Sequence, residues 1–126
     1  KVVSDDRLLR RLRASDADLP RVCVHGTYRR YLQSILQQGL LAGGGATGRN
    51  HVHFAPFEPG DGRVISGMRT GCEVAIYLDL PRALRDGIPF FESSNRVILS
   101  PGIDGAVPSA YINGVRDLRT GSWLPR

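Results

Sequence analysis

Cysteine, histidine and lysine are all scarce in this chain, and each scarcity narrows what it can be. Cys23 and Cys72 are too few to build a disulfide framework. Each flanks a β-prone run (Val22-Cys23-Val24, and Cys72 ahead of Val74-Ala75-Ile76), so both are expected as buried, reduced thiols. With three histidines and no Cys-x-x-Cys, no metal site is expected. No Gly-x-Gly-x-x-Gly occurs, which sets aside the doubly wound solution to dinucleotide binding. No apolar run approaches the roughly 20 residues of a membrane helix, and the first residues carry no signal-peptide core. No membrane partner and an intracellular setting, cytoplasm or nucleus, are therefore expected.

What is present is arginine. Lys1 is the single lysine, the other sixteen basic residues are arginines, and the net charge is +5. A guanidinium grips phosphate at two points, so an anionic partner fits, although codon bias in a GC-rich genome would deplete lysine equally well. The 126 residues, 41% hydrophobic, suffice for one domain, 1–126, with a real core. A monomer is expected.

Ser4, Asp5 and Asp6 followed by Leu8, Leu9 and Leu12 predict a short helix over 4–14. Arg21 to Val24 reads as a strand ending at His25-Gly26. Tyr31, Leu32, Ile35 and Leu36 predict a helix over 28–38, closed by Gly39 in a left-handed conformation. Leu41 to Arg49, with three consecutive glycines, reads as a loop. His51 to Ala55 alternates as a strand that Pro56 stops, and Glu58 to Arg63 is turn-rich. Glu73 to Leu80 is a nearly unbroken apolar run suited to a sheet centre. Pro81 to Gly87 predicts a helical turn or two, and Arg96 to Leu99 another strand; from Ala110 onward no element is predicted. The pattern is α+β, with short strands around a cleft.

Four clusters carry chemistry: His25-Gly26-Thr27-Tyr28, Gly48-Arg49-Asn50-His51-Val52-His53-Phe54-Ala55, Ile65-Ser66-Gly67-Met68-Arg69, and Asp86-Gly87-Ile88-Pro89-Phe90 through Asn95-Arg96-Val97-Ile98-Leu99. His-Gly-Thr alone is common by chance. All four in this order resemble the RNA 2′-phosphotransferases, from about Val2 to about Tyr111. That resemblance implies an ADP-ribosyltransferase-like split β-sheet with short flanking helices and an NAD cleft. It also implies a reaction in which NAD is consumed as co-substrate, without metal, to remove the splice-junction 2′-phosphate from tRNA. The RNA phosphate attacks C1 of the nicotinamide ribose, and the neighbouring 2-hydroxyl then attacks phosphorus. The products are nicotinamide, 2′-hydroxyl RNA and ADP-ribose 1″,2″-cyclic phosphate.

The same resemblance distributes roles. His25, Gly26 and Thr27 open the dinucleotide site, Gly26 because a Cβ would obstruct the approach of the ligand to the backbone. His53, rather than His51, packs on nicotinamide; the two share a face by alternation. Arg49 reaches towards the pyrophosphate, while Ser66 and Gly67 offer a hydroxyl and an open backbone. Arg69 is the catalytic candidate, since a guanidinium can hold the transferred phosphate at two oxygens. Where many protein-modifying relatives carry a catalytic glutamate, this chain has an apolar residue, Val97. A 2′-phosphate is already ionised and needs steering, not deprotonation.

The family also has an N-terminal winged-helix-like RNA-binding lobe, with an Arg-His pair, a further arginine and a Gln-Gly-His-Ser motif. None has a match before His25. Of the family's Arg-His-Arg-Arg set only Arg69 is matched, so NAD binding with weak or absent turnover is expected of these 126 residues. Two other readings stand beside this one: ADP-ribosyl transfer to terminal phosphates of RNA or DNA, and a non-catalytic basic RNA-binding module. The tyrosines and phenylalanines look too scattered along the chain to favour the module.

Overall fold

A computed structural model describes residues 9–42, 51–63 and 71–125. Ten strands and two helices follow in the order β1 (Leu9–Arg11), β2 (Val24–Thr27), α1 (Arg29–Gln38), β3 (Leu40–Leu41), β4 (Val52–Phe54), β5 (Val74–Leu78), α2 (Leu80–Arg85), β6 (Phe91–Ser93), β7 (Ile98–Ser100), β8 (Ala106–Val107), β9 (Ile112–Asp117) and β10 (Trp123–Leu124). The fold is mixed α+β. Two four-stranded antiparallel sheets, β1-β6-β7-β4 and β10-β9-β5-β2, are accompanied by the small β3-β8 pair. The large sheets meet at a single bridge: Val24 and Ala55 exchange N–H···O bonds of 3.0 and 2.8 Å.

β5 lies inside its sheet, as its apolar run predicts, with β9 on one side and β2 on the other and all five residues buried. Its two faces serve different packing. Val74, Ile76 and Leu78 join Phe54, Phe90, Ile98 and Val115 in the main core, while Ala75 and Tyr77 pack with Val24 on the reverse. α1 begins one residue later than its pattern predicts and lays Leu32, Ile35 and Leu36 against the core. Gly39 ends it at φ 84°, its N–H donating to the Ile35 carbonyl at 2.8 Å. A Cβ there would lie 2.4 Å from the Val107 carbonyl oxygen, so both conformation and space require glycine. α2 has Asp79 as its cap, accepting from the Arg82 amide at 3.2 Å, and Gly87 follows at φ 95°.

Three expectations need correction. The described part of the predicted helix over 4–14 is not helical: Leu9, Arg10 and Arg11 pair with Ser93, Glu92 and Phe91. Leu12 continues this pairing through its N–H to the Phe90 carbonyl at 2.9 Å and is 1% exposed. Helical spacing of the leucines was a local signal, and pairing with the distant strand β6 overrode it. The tail from Ala110, left without structure, contains β9, one of the two inner strands of its sheet. A register shift opposite Tyr77 and Leu78 pairs them with Gly114 and Ile112. Ile112 and Val115 are thereby both buried at a spacing of three, which hides the two-residue period of a strand. Finally, Cys23 is buried as expected, whereas Cys72 is only half-buried. Burial pushes the Cys23 thiol far above its ordinary range.

Candidate functional site

The bridge between the sheets brings together two sequence clusters that lie 28 positions apart. His25 sits on β2, His53 on β4, and the His25 Nδ1 is 2.8 Å from the His53 carbonyl oxygen. A carbonyl can only accept, so Nδ1 carries the proton, and in the neutral ring Nε2 is the basic nitrogen. The Phe54 ring meets His25 edge to face at 5.9 Å and limits its rotation. Val52 and Phe54 point into the core, which leaves His51 and His53 both half-buried on the opposite side. The alternation expected of this segment is therefore present.

β2 is an edge strand. Cys23 and Thr27 offer their carbonyls to the β5 side, accepting from Leu78 and Glu73 at 2.9 Å each. Val24 bonds instead towards Ala55. By strand alternation Gly26 turns its N–H and C=O to that same outer edge, just beyond the bridge. The Thr27 side chain is buried, 8% exposed. Arg49, Ser66, Gly67 and Arg69 lie outside the described residues. The structure thus gathers His25, Gly26, Thr27 and His53 at one seam.

Several charged residues that sequence reading passed over are organised around this frame. Glu73 caps α1 from outside the helix, accepting from the Arg29 amide at 2.9 Å. The Arg29 guanidinium pairs with buried Asp117 at 3.1 Å. Amides of Arg119 and Thr120 donate to the other Asp117 oxygen, and with these arginines they hold its carboxyl below the usual range. At the far end of the other sheet, buried Glu92 receives both Arg10 (3.1 Å) and Arg96 (2.5 Å). A polar cleft of about 540 Å³ opens there between Arg10, Asp18, Glu92, Ser93, Ser94 and Arg96. None of the residues singled out from the sequence for ligand or catalytic roles lines it, and Arg10 and Arg96 are already ion-paired. The Arg29–Asp117 and Arg10–Glu92 pairs join residues 88 and 82 positions apart, so no local signal announces them.

Val97 is buried, 7% exposed, immediately before β7, so no carboxylate stands at that place. Among the described residues no three His, Cys, Asp or Glu side chains gather to hold a metal, and no helix is long and apolar enough to cross a membrane.

Fold and seam together define an α+β domain with an edge strand beside an oriented histidine. Residues 1–102 match the family model described as RNA 2′-phosphotransferase, Tpt1 / KptA family, and the chain belongs to that family. It is 52% identical over 102 residues to tRNA 2′-phosphotransferase 1 of Bos taurus, covering 80% of this chain and 39% of that protein. Against tRNA 2′-phosphotransferase 1 of Danio rerio it is 48% identical over 115 residues, 90% of this chain and 49% of the relative. The tRNA 2′-phosphotransferase of Saccharomyces cerevisiae is 35% identical over 88 residues, 69% of this chain and 37% of the relative. The chain spans half or less of the length of these relatives.

Proposed function

We infer that this chain is the NAD-binding, ADP-ribosyltransferase-like lobe of an RNA 2′-phosphotransferase. Its proposed reaction removes an internal 2′-phosphate, such as that of a tRNA splice junction, with NAD as co-substrate. The observation that carries this reading is the β2–β4 seam, where His25 is oriented by the His53 carbonyl on an edge strand. The donor set fits a dinucleotide. The basic Nε2 of His25 suits a ribose hydroxyl, and the outward N–H and C=O of Gly26 match the two halves of a primary carboxamide. The His53 ring, half-buried across the seam, supplies a flat face.

Bound NAD supplies an anomeric carbon with nicotinamide as leaving group; the chain's residues bind and orient. The family resemblance assigns Arg69 to the transferred phosphate, Ser66 and Gly67 to its surroundings and Arg49 to the pyrophosphate. An apolar Val97 suits an acceptor that arrives already ionised, and Glu92 on the neighbouring β6 is committed to Arg10 and Arg96. The products of the proposed reaction are nicotinamide, 2′-hydroxyl RNA and ADP-ribose 1″,2″-cyclic phosphate.

The test uses His25→Asn, because the Asn amide can still donate to the His53 carbonyl while Nε2 is lost. NAD binding measured by calorimetry should weaken about tenfold, the worth of one hydrogen bond. Equal NAD affinity in the variant, or no binding by the parent chain, overturns the assignment of the seam. Single-turnover incubation with NAD and a 2′-phosphorylated oligonucleotide then identifies the acceptor. Label retained on the RNA without cyclic phosphate would move the reading to terminal-phosphate transfer.

A further inference from the structure

The first turn of α1 holds an aromatic–cationic cluster of close sequence neighbours. Tyr28 and Tyr31 meet edge to face with centroids 6.3 Å apart. The Arg30 guanidinium lies 5.2 Å from the first ring centroid and 4.9 Å from the second. Tyr28 is half-buried and anchors the cluster, whereas Arg30 is exposed and Tyr31 is 47% exposed.

Charge separates Arg30 from its neighbours. Arg29 is neutralised by Asp117, and the helix terminus itself is already occupied by the Glu73 carboxylate. Among the described residues no carboxylate lies within ion-pair distance of Arg30. The ten residues of α1 include two arginines and no acid. The Tyr31 hydroxyl and the Glu73 charge both act on the Arg30 guanidinium, which is held against the rings while its remaining N–H groups face solvent, where an anion can meet them. Exposed tyrosine offers a stacking face that every base can use. Only Tyr28 separates β2, with His25-Gly26-Thr27, from this helix.

We propose that Tyr31 and Arg30, braced by Tyr28, form a platform for one nucleotide of the RNA strand. The base stacks on Tyr31, and the strand's phosphate takes the edge of Arg30. This deepens the proposed function and rests on it: the platform holds RNA while the seam holds NAD.

Binding of a fluorescently labelled, 2′-phosphorylated single-stranded oligoribonucleotide tests it, with NAD calorimetry run in parallel on the full chain. The double variant Arg30→Ala/Tyr31→Ala should lose about tenfold or more in RNA affinity and leave NAD affinity unchanged, since stacking alone contributes about 1–3 kcal/mol per base. Tyr31→Phe, which keeps the ring, should bind RNA as the parent does. Arg30→Ala alone should reduce the slope of log K against log salt by about 0.7, one phosphate contact on a single strand. Both side chains are exposed, and matching melting curves confirm that the fold survives. Unchanged RNA affinity in the double variant overturns the platform, while the function stands if the parent binds RNA and NAD. Loss of NAD affinity with RNA affinity intact also overturns it, assigning the cluster to the dinucleotide's adenine. A parent that binds neither ligand defeats the underlying function.

Discussion

Asp117 is buried and ion-paired, although nothing in its local sequence sets it apart. Its carboxylate accepts from two amides of the following turn and pairs with Arg29, so its pKa is depressed. A depressed carboxylate stabilises the fold fully above its unfolded value, about 3.9, and that contribution is lost as pH falls through the folded value below it. Asp61, held at about 2 by the Arg63 side chain and amide, acts in the same window, but the pair is exposed and adds little. Asp117→Asn should therefore lower the melting temperature at pH 7 and flatten the acid limb below about pH 4. Melting curves across that range decide it, and parallel limbs for parent and variant would refute the linkage. His25 belongs to the same scale. Its motif was legible in the sequence, but the proton on Nδ1 was not, because a carbonyl 28 positions away places it.

Among the elements, β1 and α1 contrast. α1 formed where its apolar spacing indicated, because its stripe met a core surface and Gly39 could close it. Gly39→Ala is expected to cost at least about 1 kcal/mol from the positive φ alone, with more from contact against Val107. Chemical denaturation measures this, and a neutral result would deny the close approach of β8. β1 carried an equally regular stripe yet became a strand, because β6 offered both a backbone edge and Glu92 for Arg10. Leu12→Ala should cost about 2–5 kcal/mol, the range for a leucine in a packed core. A solvated helix over the same residues would tolerate the change within about 0.5 kcal/mol. β9 escaped notice for a different reason, since the bulge against β5 breaks the two-residue period that marks a strand.

Among the described residues one bridge links the two large sheets, and the candidate site lies on that bridge. A ligand contacting both β2 and β4 ties the sheets together and binds only the folded state. NAD at one hundred times its Kd should then stabilise the chain by about 2.7 kcal/mol, a rise in melting temperature on the order of 10 °C. A thermal-shift titration checks this. A melting temperature indifferent to NAD while calorimetry reports binding would place the ligand away from the seam.

By itself the sequence determined the composition class, the α+β pattern, the buried β5, the amphipathic α1, and the four ordered clusters that carry the family resemblance. Each is written in contiguous residues or in a regular period, which is why it can be read without coordinates. Only the tertiary structure decided that Leu9–Arg11 is a strand, that Ile112–Asp117 is an inner one, and that Glu92 and Asp117 are buried among arginines. It also set His25 against His53. Strand pairing, ion pairing and ring contact join residues by distance in space, and sequence order records that distance only for near neighbours.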